Sequence, residues 1–307
     1  MQAGADSCVA LGDNITVYGG AEASIAIGVS VVIGGSQQVA IGSGAHTLAD
    51  GAVALGSAIA GGGDSVAIGS HSGADVNGVA IGNGASAYAA NSIAMGYNAR
   101  TGQISEQNVV LGVNSVINDT DVYSNNVVVG HDVAAACSSS IAIGGLSAIG
   151  DVSIVSTADL AIGPSSACFG SYDVALGSGA SVGTNLPLVT PSDYGTALGS
   201  LSSVMGQYGV AVGYDSSVTG DNGIAIGYLA SAGAGEVVFS SSAAGGANKF
   251  EVVGSTAGNP DLVKFDVSSM FSGLDTSMFL LYKDTGGFVV FNQVKVQAAT
   301  GYLYVPT

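Results

Sequence analysis

One four-residue phrase dominates the chain: a branched apolar residue, a small residue, another apolar residue and a glycine. It ends at Gly12, Gly28, Gly42, Gly56, Gly69, Gly82, Gly96, Gly112, Gly130, Gly144, Gly163, Gly177, Gly199, Gly213 and Gly227, fifteen copies in all. The commonest interval is 14 residues, with longer steps of 16, 18, 19 and 22. A short period of this kind indicates a solenoid, in which one coil cannot bury its own apolar face and its neighbours complete the core. Fourteen residues is also two heptads, but a coiled coil is excluded. Val and Ile fill the phrase, a helix-weakening Gly closes every copy, and steps of 13 or 16 break a heptad register.

Strands remain. In a strand the two large residues of the phrase share one face and the small one takes the other. The expectation is that Val66 and Ile68 point into the coil, Ala67 points out, and Gly69 turns the corner with a positive φ. Three residues after the Gly comes another small residue (Ala45, Ala85, Ala99, Ser115), and two further an apolar or small one (Ile117, Ile149, Val182, Val218). Each coil is therefore expected to hold two short strands joined by two turns. On this reading Ala40, Ala54, Ala67, Ala80, Ala94, Ala142, Ala175, Ala211 and Ala225 form an outward apolar stripe, and such a stripe marks an interface between copies of the chain.

Charge narrows the partners. Charged residues are 9% of the chain and the net charge is −17. Arg100 is the sole Lys or Arg before Lys249, and sixteen acidic residues precede residue 236, so the repeats are poor partners for nucleic acid. The uncharged stretch of residues 133–150 is broken by Ser and Gly and repeats the phrase, so no membrane insertion is expected. The opening residues lack the basic and apolar regions of a secretory signal. Cys8, Cys137 and Cys168 fit no metal or redox spacing and read as buried small side chains. His46, His71 and His131 are scattered, with no triad or metal spacing; the sequence predicts no catalytic residue, no metal and no cofactor.

Two domains are expected: a repeat domain over 1–235 and a small antiparallel β domain over 236–307. The second segment holds four of the five cationic residues and dense Phe and Tyr, and Asp284-Thr285-Gly286-Gly287 reads as a hairpin turn. The long steps between glycines place insertions on the solenoid surface, where binding residues concentrate. From these the candidate receptor contacts are Tyr123, Asn125, Asn185, Leu188, Asp193 and Tyr194, facing a host surface glycan or protein.

The strings DSVAIGSHSG, NSIAMGYNA and DNGIAIGYLA resemble the head repeats of YadA-like trimeric autotransporter adhesins, over about residues 7–235. The resemblance implies a left-handed parallel β-roll, three chains side by side about an axis, and binding to host surfaces. No counterpart of the family's signal peptide, coiled-coil stalk and membrane anchor is expected in this chain. The closing VKVQAATGYLYVPT instead resembles the ends of tailed-phage fibre proteins. Together these readings predict an all-β, homotrimeric, non-enzymatic phage fibre or virion appendage. Its β-roll would be a rigid arm for host attachment, its C-terminal domain a trimer clamp or docking module, and its partners itself, other virion structural proteins and a host receptor. The alternatives are an architectural virion decoration protein, or the passenger head of a bacterial adhesin located at the cell surface.

Overall fold

The computed structural model describes residues 6–104, 106–118, 123–150, 156–183 and 193–240, together with the backbone of five strands between 249 and 304. The chain divides into two compact units, Met1–Ser165 and Ser166–Thr307. Among the described residues every element is a strand.

In the first unit most coils contribute one three- to five-residue strand and one two-residue strand; the coil after Ile93–Met95 has an isolated bridge at Arg100 in place of the second. The longer strands stack in parallel with like residues paired: Val66 against Val79, Ala67 against Ala80 and Ile68 against Ile81. The same register recurs from Val9–Asp13 to Leu160–Ile162. The short strands, such as Ile59–Ala60, Gly73–Ala74 and Ser86–Ala87, form a second parallel stack. The second unit repeats the arrangement with the longer strands Val174–Leu176, Thr196–Leu198, Val210–Val212 and Ile224–Gly227. Its short strands run from Ala167–Cys168 to Ser231–Ala232. Glu236–Ser240 ends the parallel stack and begins an antiparallel one with Lys249–Val253, Leu262–Asp266 and Met278–Tyr282. Lys295–Val296 pairs antiparallel with Leu303–Tyr304. The turn expected at Asp284–Gly287 lies outside the described residues.

The closing glycine is required twice over. Gly69 has φ +130, and a Cβ there would lie 2.5 Å from the carbonyl oxygen of Gly82 in the next coil. Two further positions in most coils are left-handed: the residue five before the Gly, such as Asp64, Asn77 and Asn91, and the residue two after it, such as His71, Asn98 and Asn114. Asn and Asp tolerate that conformation best among side-chain-bearing residues.

The alternation within the phrase is as expected, but its phase is inverted. Ala67 is 0% exposed, while Val66 and Ile68 on either side are half-buried. Ala40, Ala54, Ala80, Ala94, Ala142, Ala175, Ala211 and Ala225 are likewise sealed inside their own coils, so none of the nine alanines lies on an outward stripe. The reason is width. The interior also receives the small residue three after the Gly (Ala45, Ala85, Ala99, Ser115) and the residue five after it (Ile33, Ile117, Val182, Val204), all buried. The centre of the longer strand is a methyl in most coils and Val110 or Val128 in two, and close packing leaves no room there for the flanking pair of branched side chains as well. Branched residues therefore take the outer face, where they still satisfy the strand's preference for them.

Candidate interaction surfaces

The inverted phase puts an apolar sheet face on the outside of each unit. In the first unit Leu11 is 65% exposed, and Ile25, Ile41, Met95, Ile141 and Ile143 are also exposed. Val39, Val53, Val66 and Val79 beside them are half-buried. In the second unit Leu176 is exposed, and Leu198, Val210, Val212, Ile224 and Ile226 are half-buried. Large apolar side chains repeated at every coil make a contiguous band, which isolated exposed residues do not.

The six candidate receptor contacts separate. Tyr123 is 2% exposed, and its carbonyl accepts a hydrogen bond from Asn108 Nδ2 at 2.8 Å, so its ring is part of the interior and no outside ligand reaches it. Asn125 is exposed at a left-handed corner with φ +63. Asn185 and Leu188 lie outside the described residues. Asp193 Oδ1 accepts the Ser171 backbone N–H at 2.9 Å, a bond that ties neighbouring coils together. Tyr194 is 50% exposed and stands between two other tyrosines: its ring centroid is 5.0 Å from Tyr172 and 5.2 Å from Tyr208, with planes within 6° of parallel. A second pair, Tyr214 and Tyr228, stacks at 5.5 Å.

Sequence reasoning missed Tyr172, Tyr208, Tyr214 and Tyr228, although a signal was present. Tyr172, Tyr194 and Tyr208 each fall five residues before a phrase-closing glycine, and Tyr214 and Tyr228 each fall one residue after one. Residues at the same place in successive coils stack, so equal offsets from Gly177, Gly199 and Gly213 predict a ladder even across the 22-residue step that separates the first two.

A polar row inside the first unit also escaped notice. Four residues before several of the closing glycines, the side chain turns inward and accepts the backbone N–H of the same position in the next coil. Asn108 N–H donates to Ser92 Oγ at 3.1 Å, Asn126 N–H to Asn108 Oδ1 at 2.9 Å, Ser140 N–H to Asn126 Oδ1 at 3.0 Å and Asp159 N–H to Ser140 Oγ at 3.0 Å. Buried amides that the sheet ladder does not reach are satisfied in this way. Cys137 lies in the same region, its Sγ 3.6 Å from Asn126 Oδ1. Burial pushes the Cys137 thiol up to about 12; a hydrogen bond with Ser140 opposes the rise and the charge of Asp159 adds to it. Such a thiol is a poor nucleophile at neutral pH. Cys137 and Cys168 are both buried, as the sequence predicts, and Cys8 is half-buried.

Among the described residues, no group of three or more His, Cys, Asp or Glu side chains is placed to hold a metal ion. Among the described residues no helix is long and apolar enough to cross a membrane.

Coil geometry of this kind defines the protein's class: an all-β parallel solenoid of about fifteen turns. Its repeats are YadA-like head repeats, and the family model described as the YadA head domain repeat matches residues 39–58, 76–99 and 206–230. Among solved structures, the collagen-binding domain of the Yersinia adhesin YadA is similar to this chain. It is 26% identical over 35% of this chain and 73% of that one, with a TM-score of 0.31. The polySia-specific acetyltransferase NeuO aligns over 77% of this chain and 83% of its own at 10% identity, with a TM-score of 0.10. No curated protein matches the chain.

Proposed function

We propose that this chain is the head of a non-enzymatic homotrimeric attachment fibre, in which three copies bury the Val and Ile faces of their longer strands against one another about a common axis. The observation that supports the reading is the outward apolar face itself. Covering the remaining exposed half of one Val or Ile is worth about 1 kcal/mol. With two such residues in nearly every coil, the sum exceeds the roughly 4–15 kcal/mol that association costs in lost freedom. A monomer would leave that face in water.

The YadA head repeats support an attachment role at an exterior surface, and three parallel arms would multiply weak contacts to a surface that presents many receptors. Within that role the chain serves as a virion fibre, as the Tyr-rich closing segment suggests. The second reading, the head of a bacterial surface adhesin, is favoured by the match to the head-repeat family. Sedimentation equilibrium tests the assembly: three times the 29.7 kDa chain mass is expected, and a stable monomer at micromolar concentration overturns it. Labelled antibody against the chain, imaged on phage particles and on bacterial cells, separates the two settings.

A further inference from the structure

We infer that the tyrosine ladder of the second unit, Tyr172–Tyr194–Tyr208, is a binding rail for a neutral, extended β-linked glycan, an inference that rests on the attachment role proposed above. The ladder is not explained by stability. All three tyrosines are left-handed, with φ of 62, 61 and 56. A bulky residue in that conformation costs about 1–2 kcal/mol, whereas a stacked aromatic pair returns about 0.5–1.5 kcal/mol. Three strained residues and two stacked pairs leave no clear gain. Asn suits the position better, and it holds the equivalent place at Asn77, Asn91 and Asn125 in the first unit.

Nor does self-association explain it. The first unit presents the same Val and Ile face with polar corners beside it, where Asn77 Nδ2 donates to Asn91 Oδ1 at 3.0 Å. Aromatic corners are thus dispensable to that face.

What the ladder offers is a line of half-exposed rings, one per coil, spaced 5.0 and 5.2 Å apart, each able to present a phenol hydroxyl that both donates and accepts. The ring faces are turned to one another, so the hydroxyl-bearing edges are what a ligand meets, and a matching ligand repeats at a similar spacing and carries hydroxyls along its length. Extended β-linked pyranose chains meet both conditions, and α-linked chains that coil do not. Between residues 166 and 240 the sequence has no Lys or Arg, so the rail has no nearby cation for an acidic glycan and selects neutral ones.

The experiment is calorimetric titration of the full-length chain with cellohexaose, chitohexaose and xylohexaose, against maltohexaose and glucose, repeated with the Tyr194→Asn variant. At least one β-linked hexaose should bind, with maltohexaose and glucose at least about tenfold weaker. Tyr194→Asn should weaken binding at least about tenfold, or about 1.4 kcal/mol, with unchanged sedimentation mass and circular dichroism. If none of the β-linked hexaoses binds at millimolar concentration, or if Tyr194→Asn binds as well as the parent, the inference fails. If cell adsorption of the intact protein depends on Tyr194 while every hexaose is ignored, the rail serves a protein ligand and the glycan assignment is wrong. Adsorption that persists without glycan binding overturns this inference alone, whereas loss of all adsorption by the parent protein overturns the attachment role.

Discussion

The two units solve one packing problem with different residues. In the first, the interior corner four residues before each Gly is often Ser or Asn, as at Ser65, Ser92, Asn108 and Asn126, and the wall opposite includes Ala60 and Ala87. In the second, the same corner is Gly195, Gly209 and Gly223, and the wall is Val182, Val204 and Val218. A Cβ on Gly209 would lie 2.6 Å from Val204 Cγ1, and one on Gly223 2.8 Å from Val218 Cγ1. At these coils volume removed from one row has been added to the other, whereas elsewhere the first unit's wall carries Ile33, Ile117 and Ile149. A coil interior therefore constrains a sum of volumes rather than individual residues, and it accepts either a hydrogen-bonded polar row or a purely apolar filling. The exterior also differs at the corner five residues before the Gly: Asn77, Asn91 and Asn125 stand there in the first unit, Tyr172, Tyr194 and Tyr208 in the second.

The largest effect should come from testing what both units share, the inward alanine and the outward Ile or Val. Ala80→Lys or Ala211→Lys buries an unpaired ammonium where nothing can accept it, and should cost about 3 kcal/mol or more, read as a large fall in melting temperature. Ile81→Lys or Val212→Lys, one residue along in the same strand, should keep the β spectrum of the coil and lower the sedimentation mass or weaken assembly. If the alanine variants stay folded while losing only their association, the inward placement of alanine is wrong.

Much of this architecture was legible in the sequence, and its one inversion is instructive. Period, parallel stacking, paired short strands and corner glycines all follow from the spacing of the phrase, because stacking forces like positions together. Alternation gives two faces but not which one is inside. Habit assigns Val66 and Ile68 to the core; the narrow coil reverses this, and only the small residues that line the opposite wall, such as Ala85 and Ala99, hinted at so little room. The candidate contacts suffered from a related omission. Tyr123 and Tyr194 looked alike as loop aromatics, but only Tyr194 sits at a recurring offset from its glycine, and that offset places it in a ladder on a corner while Tyr123 turns inward. Polar residues such as Asn108 give no signal of their own, because their partners are backbone amides of the next coil, which single positions do not reveal.

A smaller effect should test the exchange between rows directly. Gly209→Ser introduces the first unit's corner residue into the second unit. Its Cβ meets Val204 Cγ1 inside the ordinary contact distance, so a loss of about 1–3 kcal/mol is expected. Adding Val204→Ala, which reproduces the Ala87 and Ser92 pairing, should recover much of that loss even though Val204→Ala alone removes buried methyls and destabilises. The coupling read from this double-mutant cycle by urea denaturation should be about 0.5–3 kcal/mol and favourable. Strict additivity would show that the two rows do not share volume.

The smallest effect belongs to the polar interior, which the second unit largely lacks. Cys137 is held up to about 12 from an ordinary value of 9.0, so the folded chain keeps a thiol proton that the unfolded chain releases at lower pH. Stability from this source is fully present below about pH 9 and is lost as pH rises from there towards 12, because over that window the native state binds the proton more tightly. Cys137→Ser removes the group, so the variant's melting temperature should fall less steeply between pH 9 and 11 than the parent's, while the two slopes coincide from pH 6 to 8. Thiol alkylation supplies the matching kinetic reading: at pH 8.5 half-buried Cys8 should react first, and Cys137 only at the rate of local opening. Equal alkylation rates at the two sites would mean that the interior of the first unit admits solvent, and that its polar row is a wet seam rather than the closed counterpart of the second unit's Gly and Val packing.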